Sequence, residues 1–286
     1  MKETLVIYHK NCVDGFAAAY CVWKEFGDKA DYVALGYDER DKFMIETNFY
    51  GRQVYILDFS FSKVHTKSII LQAEFTTWLD HHKTAFEEWL GNDRDFYQSE
   101  TAHELIILDK SRSGAMITYQ TLIGIPVPDA IKYIDDRDRW IFNHPESQFF
   151  SLAVSQIPRA FENWNILDIF NNTTAESLVM VGGTIKEYYD IQIKRSIEQT
   201  KEICVLCGIE GLCCNLPPMF ASDAGHILAT ESGTFGATWY RDKEGKIRWS
   251  LRSNGDFDVS EIAKQFGGGG HKNEAGFTTS TFSKLV

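Results

Sequence analysis

The sequence predicts an α/β protein: a doubly wound, mostly parallel sheet, a helical linker, and a smaller α/β domain, with a cleft between the two domains. Three observations carry this reading. Short apolar β-runs alternate with helical segments through the first half, the pattern of a sheet covered on both faces. Residues of metal-binding type close several of those runs, most sharply Asp80-His81-His82 after Phe75-Thr76-Thr77-Trp78-Leu79. A long amphipathic segment then leads into a second region rich in β-formers. The expected boundaries are residues 1–165 for the first domain, 166–202 for the linker and 203–286 for the second domain.

Residues 4–9 read as a strand and residues 15–26 as a helix closed by Gly27. Between them, His9-Lys10-Asn11-Cys12-Val13-Asp14-Gly15 is a polar loop ahead of a helix N-terminus, where unpaired amides favour a metal or a phosphate. Gly15 permits close backbone approach, and Ala17-Ala18-Ala19 lets the helix lie tightly on a sheet. Residues 53–57 form the next β-run, ended by Asp58, and Ser62 N-caps a helix through Ala73. After the strand from Phe75 come a helix over 83–90, a strand over 105–108 and a helix opened by Ser113-Gly114-Ala115. Pro126 and Pro128 precede one more helix.

In the region 175–203, Leu178, Val181, Ile185, Tyr188, Tyr189, Ile193 and Ile197 recur near helical period, with a bend expected at Gly182-Gly183. Two strands follow, 203–207 and 211–214, turning at Gly208-Ile209-Glu210-Gly211. A helix near 223–230 leads to a hairpin, 235–241 and 246–252, about Asp242-Lys243-Glu244-Gly245. Asp258-Val259-Ser260-Glu261 has the form of a capping box for a helix through Phe266. Gly267 to Gly270 then run into His271.

Composition narrows the function. With 44% hydrophobic and 24% charged residues, 286 residues suffice for two ordinary globular cores. No apolar run approaches bilayer length, and the segment after Met1-Lys2-Glu3-Thr4 is too short for a signal peptide. A cytoplasmic protein with reduced cysteines is therefore expected. A net charge of −11 argues against long duplex nucleic acid as partner, because phosphate neutralisation needs a basic face. A small anionic substrate remains compatible, and residues 241–272 are locally basic, with seven Lys or Arg against five Asp or Glu. Cys204, Cys207, Cys213 and Cys214 resemble half a zinc knuckle, but five residues between Cys207 and Cys213 are too few for paired ligand loops. They are read as small hydrophobes in the strand pair.

The placement of acids and histidines is the functional signal. His9, Asp58 and Asp80-His81-His82 each end a β-run, so all should emerge at one sheet edge, where ligands of open α/β sheets collect. Carboxylates beside imidazoles suit Mn²⁺, Zn²⁺ or Fe²⁺, although the triplet also reads as histidines hydrogen-bonded to an aspartate. Asp135-Asp136-Arg137-Asp138-Arg139 adds ligands or Asp–Arg pairs; Asp136 ranks ahead of Asp138, whose arginine neighbours could pair with it. The glycine run with Arg252, His271 and Lys272 could cradle a phosphate, or serve as a flexible linker.

In this order and spacing, these motifs resemble the DHH phosphoesterase family over nearly the whole chain. Residues 9–19, Asp58, Asp80-His81-His82 and residues 135–140 match its four motifs. The stretch from Arg252-Ser253 through the glycines and His271 to Ala275-Gly276 resembles the DHH-associated C-terminal substrate-binding domain, in the manner of a nano-RNase or oligoribonuclease-like branch. The resemblance implies a binuclear centre preferring Mn²⁺, with Mg²⁺, Co²⁺ or Fe²⁺ as other ions. Asp58 would bridge, His9 would bind one ion, and Asp14, His81 and Asp136 the other. As catalytic residues, Asp80 would orient His81, and His82 would contact phosphate or protonate the leaving oxygen. Arg252, Ser253, Gly268, Gly269, Gly270 and His271 would hold the substrate.

The implied reaction is hydrolysis of short oligonucleotides or nucleotide phosphoesters by metal-hydroxide attack. Cleavage of cyclic or linear dinucleotides, or nucleotide sensing without turnover, are the alternatives. The implied partner is a short single-stranded nucleic acid or nucleotide, with no membrane, and the protein a monomer or homodimer. Many relatives carry Asp-x-Asp where this chain has Cys12-Val13-Asp14. Either the first metal lacks a carboxylate there, or Cys12 packs beneath the loop.

Overall fold

The computed structural model describes residues 2–281, apart from the side chain of His271. The chain divides into a unit ending at Ile185 and a unit beginning at Lys186.

In the first unit the elements are β1 (Thr4–His9), α1 (Val13–Phe26), β2 (Ala30–Leu35), α2 (Arg40–Glu46), β3 (Gln53–Leu57), α3 (Lys63–Gln72), β4 (Phe75–Asp80), α4 (Lys83–Leu90), β5 (Phe96–Glu100) and β6 (Glu104–Asp109). Helices follow: α5 (Gly114–Leu122), α6 (Asp129–Asp138), α7 (Glu146–Ser155) and α8 (Phe161–Leu167). The sheet order is β2-β1-β3-β4-β6-β5. Every pairing is parallel except β5 with β6. The sheet is thus doubly wound, as its sequence predicts. One core gathers Ala17, Ala18 and Ala19 of α1 with Ile117 of α5 and Ile131 of α6. The other gathers Ile69 of α3 and Phe86 of α4 with Ile7, Ile56 and Trp78. Strands buried on both faces read as near-continuous apolar runs, which is why the central ones are legible in sequence.

In this sheet sequence reading misses two strands, β2 and β5, and they are its two edges. In β5 exposed and half-buried residues alternate along Phe96–Glu100, and no core run marks it. Edge strands need a polar outer side, so their apolar signal is diluted.

The chain leaves β1 for β2 on one side and returns to β3 on the other. Neighbouring strands whose connections diverge open a crevice at their carboxyl ends. His9 closes β1, and Asp58 follows β3, so both stand at that crevice.

In the second unit, the end of α9 (Asn172–Thr200) is followed by β7 (Glu202–Leu206), β8 (Ile209–Asn215), α10 (Ala221–Ser232), β9 (Phe235–Arg241), β10 (Ile247–Ser253), α11 (Val259–Gln265), β11 (Gly269–His271) and β12 (Glu274–Thr279). The order β11-β12-β10-β9-β8-β7 is antiparallel except where α10 crosses between parallel β8 and β9. Ile193 and Ile197 pack with Leu228 of α10 on one core, while Ile262 of α11 joins Trp249 and Phe277 in the other. The β7–β8 turn falls on Cys207 and Gly208, at φ 54 and 77, earlier than the Gly208 to Gly211 turn the sequence predicts. Two-residue hairpins demand positive φ at both positions, and Ile209 and Glu210 are thereby released into β8. No helix among the described residues is long and apolar enough to cross a membrane.

The Gly182-Gly183 pair has a packing role at one position only. A Cβ on Gly182 would lie 1.8 Å from the Phe149 carbonyl oxygen of α7, whereas one on Gly183 would meet nothing within 4 Å. Gly182→Ala should therefore destabilise the protein by about 1–3 kcal/mol, the usual cost of overpacking. Gly183→Ala should stabilise it by about 0.5–1 kcal/mol, because alanine loses less entropy in a helix. Denaturant melts of the two variants check this; equal effects would remove the packing role.

Candidate metal centre at the sheet edge

Local structure delivers the site residues one strand end at a time. Gly15 sits where a Cβ would lie 2.7 Å from the His9 carbonyl oxygen, so the β1–α1 loop closes tightly around His9. Asp58 takes left-handed backbone, φ 53, which aspartate tolerates better than branched residues. Its N–H donates to the Leu79 carbonyl at 2.9 Å, carrying the β3–β4 ladder one step beyond the strand. Asp80 ends β4, and its Oδ1 accepts the backbone N–H groups of His81 at 2.7 Å and His82 at 3.2 Å. That Asx-type turn sends both histidines off the strand before α4 begins.

These side chains converge on Asp58. His81 Nε2 lies 3.2 Å from Asp58 Oδ1, 3.3 Å from Asp138 Oδ2 and 3.8 Å from Asp14 Oδ2. His9 Nδ1 lies 3.5 Å from Asp58 Oδ2, and His82 Nδ1 lies 3.6 Å from Asp58 Oδ1. Two sets of potential ligand atoms result, His9–Asp58–His82 and Asp14–Asp58–His81, each within 4.8 Å of one another, and Asp58 belongs to both. The buried oxygens of Asp58, with His9 Nδ1 and His81 Nε2, make no hydrogen bond. Buried polar atoms are ordinarily paired, so acceptors left open around a shared carboxylate fit divalent cations. The first set is nitrogen-rich and the second oxygen-rich.

Burial alone would favour a protonated Asp58, but the neighbouring imidazoles of His81, His9 and His82 outweigh it and hold the carboxyl well below the usual range. Burial opposes protonation of the histidines as well. The Asp58 and Asp14 carboxylates still push His81 up to about 10, and Asp80 pushes His82 up to about 9. Burial, then repulsion from Asp58, raises Asp14 and Asp138. Without cations the centre thus holds protons where a metal's charge would serve.

Each residue singled out in the sequence now has a place. Asp14 Oδ1 accepts from the Ser113 hydroxyl at 2.6 Å and the Ala115 N–H at 3.0 Å, and its Oδ2 from the Gly114 N–H at 2.7 Å. The start of α5 therefore anchors it. Asp80 Oδ1 holds His82 Nδ1 at 2.7 Å, and it touches His81 only through the backbone. Asp136 is buried away from the cluster, where its carboxylate accepts the N–H groups of Asn143 at 2.7 Å and His144 at 3.3 Å. Asp138 is the acid of that helix beside His81. Cys12 belongs to neither ligand set, and burial together with Asp58 and Asp14 pushes its thiol up, so it stays neutral.

In the second unit, the Arg252 guanidinium donates to Ser222 Oγ at 2.8 Å and Glu274 Oε1 at 2.5 Å. Ser253 Oγ donates to the Phe257 carbonyl at 2.7 Å and accepts from Asn273 at 3.0 Å, fixing the loop after β10. A Cβ on Gly268 would lie 2.1 Å from the Gly276 carbonyl, and one on Gly270 2.4 Å from that of Glu274. The close approach at these two glycines is to the chain's own β12. Gly269 faces open space. The His271 side chain lies outside the described residues.

Sequence reasoning ranked Asp138 low and gave Ser113 to Ala115 no role beyond starting a helix. The signal for Asp138 was helical spacing: Asp136 and Asp138 are two apart and cannot share a face. For Gly114 it was glycine at a helix start, since a Cβ there would lie 2.6 Å from Asp58 Cβ.

The comparisons with known proteins agree with this architecture. The DHHA1 domain family matches residues 221–285. The uncharacterized protein R106 of Acanthamoeba polyphaga mimivirus is 30% identical over 96% of this chain and 67% of its own length. PggH from Vibrio cholerae, a pGpG-specific phosphodiesterase, shares the fold with a TM-score of 0.52 at 12% identity, over 97% of this chain and 93% of that one. RecJ from Thermus thermophilus, solved in complex with Mn²⁺, is a looser likeness, with a TM-score of 0.46 at 11% identity over 96% of this chain and 49% of that one. The chain belongs to the DHH phosphoesterase family and carries a DHHA1 domain in its second unit.

Protonation gives the site a pH signature. His81 and His82 have folded pKa values of about 10 and about 9, above the unfolded value near 6.5. Their stabilisation is complete below pH about 6.5 and is lost as pH rises through about 9 to 10. The raised carboxyls of Asp14 and Asp138 act in the same direction. With chelator present, the melting temperature should fall from pH 6.5 to 9. Added Mn²⁺, which binds the deprotonated ligands, should stabilise more at pH 9 than at 6.5. A chelator-treated melting temperature that rises over this window would contradict the geometry.

Proposed function

We propose that this chain is a divalent-cation-dependent phosphoesterase, with Mn²⁺ the preferred ion, that hydrolyses short oligonucleotides or nucleotide phosphoesters in the manner of an oligoribonuclease-like member of its family. The observation that carries the reading is the buried Asp58 carboxylate, unpaired by hydrogen bonds and common to both ligand sets.

In this reading Asp58 would serve both positions, with His9 holding one cation and Asp14, His81 and Asp138 the other. Asp138 takes the place that the sequence reading gave to Asp136, because Asp136 is committed to the backbone of residues 143 and 144. Divalent cations held there would supply Lewis acidity to a phosphoryl oxygen and to water, and would offset charge on the leaving group. The protein's own part is orientation and proton handling. Asp14 is clamped by the start of α5, so its geometry does not depend on a flexible side chain. His82, held through Nδ1 by Asp80 and protonated at neutral pH, hands a proton from Nε2 to the leaving oxygen. In the DHHA1 unit, Arg252 would meet a phosphate in exchange for its contact with the exposed Glu274. Gly269 leaves backbone open to a ligand, and Ser253 shapes the adjoining loop.

A narrower reading, cleavage of linear dinucleotides, takes its support from the fold shared with PggH, a pGpG-specific enzyme.

A turnover screen with Mn²⁺ over a linear dinucleotide, a longer oligonucleotide, cyclic dinucleotides and pyrophosphate separates these readings. Hydrolysis of the first two supports the broad one, and of the linear dinucleotide alone the narrow one. Asp58→Asn and His81→Ala should each lose at least about 100-fold in activity, and Asp80→Asn about 10–100-fold, because His82 would lose the carboxylate that holds its imidazolium. Circular dichroism should stay unchanged. Binding without turnover of any substrate would make the protein a sensor, and near-normal turnover by folded Asp58→Asn would overturn the shared-carboxylate account.

A further inference from the structure

The turn after α6 carries an arrangement that the hydrolytic chemistry leaves unused. Trp140 and Phe142 both take left-handed backbone, at φ 58. That conformation is costly for bulky side chains and recurs at functional sites. Burial does not offset the cost, since Trp140 is 62% and Phe142 43% exposed. The Arg137 guanidinium carbon lies 4.3 Å from the Trp140 ring centroid and 5.3 Å from that of Phe142, and the two rings meet edge-on at 4.8 Å. Asp136 secures the turn, because its carboxylate accepts from Asn143 and His144 and its carbonyl from Ile141. The result is a fixed aromatic surface held at the exterior.

Trp140 and Arg137 also line a cavity of about 270 Å³ that reaches Asp14 and Asp138. Buried Ile134 and Phe150 give it apolar wall. Pockets that enclose whole drug-sized ligands run from roughly 300 to 1,000 Å³, so this one suits a single ring system. Its two carboxylates repel an anion. A flat, neutral, aromatic ring with apolar faces fits against Ile134, Phe150 and Trp140 instead, and a nucleobase has that chemistry. Asp138 is also 3.3 Å from His81, so a ring bound here would lie beside the proposed centre.

We infer that Trp140, braced by Arg137, is a stacking platform for the nucleobase adjoining the scissile phosphate, and so a specificity-determining residue. The inference rests on the proposed phosphoesterase reading for the position of that phosphate. Base–aromatic stacking typically changes affinity by roughly 5- to 150-fold when the ring is removed.

Two readouts test it separately from that reading. Adenosine, which has no phosphate, is titrated into the metal-free protein by calorimetry. Trp140→Ala should weaken it roughly 5- to 150-fold, and Trp140→Phe should recover most of the loss. With Mn²⁺, the ratio of kcat/KM for a dinucleotide over its abasic analogue should fall in Trp140→Ala by a similar factor. No adenosine binding by the wild type, or equal binding by Trp140→Ala, overturns the inference even where dinucleotides are hydrolysed. Adenosine binding that depends on Trp140, in a protein that hydrolyses no phosphoester, supports the base site and refutes the phosphoesterase reading instead.

Discussion

A single buried carboxylate sets the terms for the first unit. Asp58 is 1% exposed, neither of its oxygens accepts a hydrogen bond, and imidazoles of three histidines surround it. An isolated charge in such a place is costly, so the surroundings must supply positive charge, from protons or from metal ions. The architecture around Asp58 follows from that need. Parallel pairing brings the ends of β1, β3 and β4 side by side, and the divergence of connections at β1 and β3 leaves room above them. Gly15 and Gly114 let two helix starts close in, where a Cβ would collide with His9 and Asp58. The start of α5 then fixes Asp14 with three donors, leaving it rigid beside His81.

Much of this was legible in the sequence, for physical reasons. Central strands buried on both faces keep an unbroken apolar signal, so β1, β3, β4 and β6 could be found, and with them the residues that end them. Edge strands β2 and β5 lack that signal. The rule that an acid after a strand marks a site is imperfect: Asp109 ends β6 yet is a turn residue, accepting from Ser111 and Arg112. Asp58 differs in having no such local partner, which only three dimensions reveal. The same holds for Asp136 and Asp138. Both sit at the end of α6 and both are acidic, but one satisfies the next turn's amides and the other meets His81. The glycine run illustrates a different limit: its sequence suits a phosphate cradle, but at Gly268 and Gly270 the close approach is to the protein's own β12.

The two ligand sets around Asp58 are chemically unequal. His9 and His82 contribute nitrogen, whereas Asp14, with Asp138 nearby, contributes hard oxygen. Cys12 does not redress the balance, because its thiol is held neutral and stands outside both sets. Oxygen-rich sites favour Mn²⁺ and Mg²⁺, while imidazole-rich sites suit more borderline ions. Under the proposed function, Mn²⁺ would fill the Asp14 side first. His82 has a divided role in this arrangement, since Asp80 already holds its Nδ1 at 2.7 Å. With Nδ1 committed to Asp80, Nε2 alone remains for a ligand bond or a proton transfer.

The account turns on Asp58 being shared by two cations, and anomalous diffraction from crystals equilibrated with Mn²⁺ tests that directly. Two peaks are predicted, flanking the Asp58 carboxylate, one in contact with His9 and the other with Asp14 and His81. A single peak that does not touch Asp58, or no peak at saturating Mn²⁺, would contradict it.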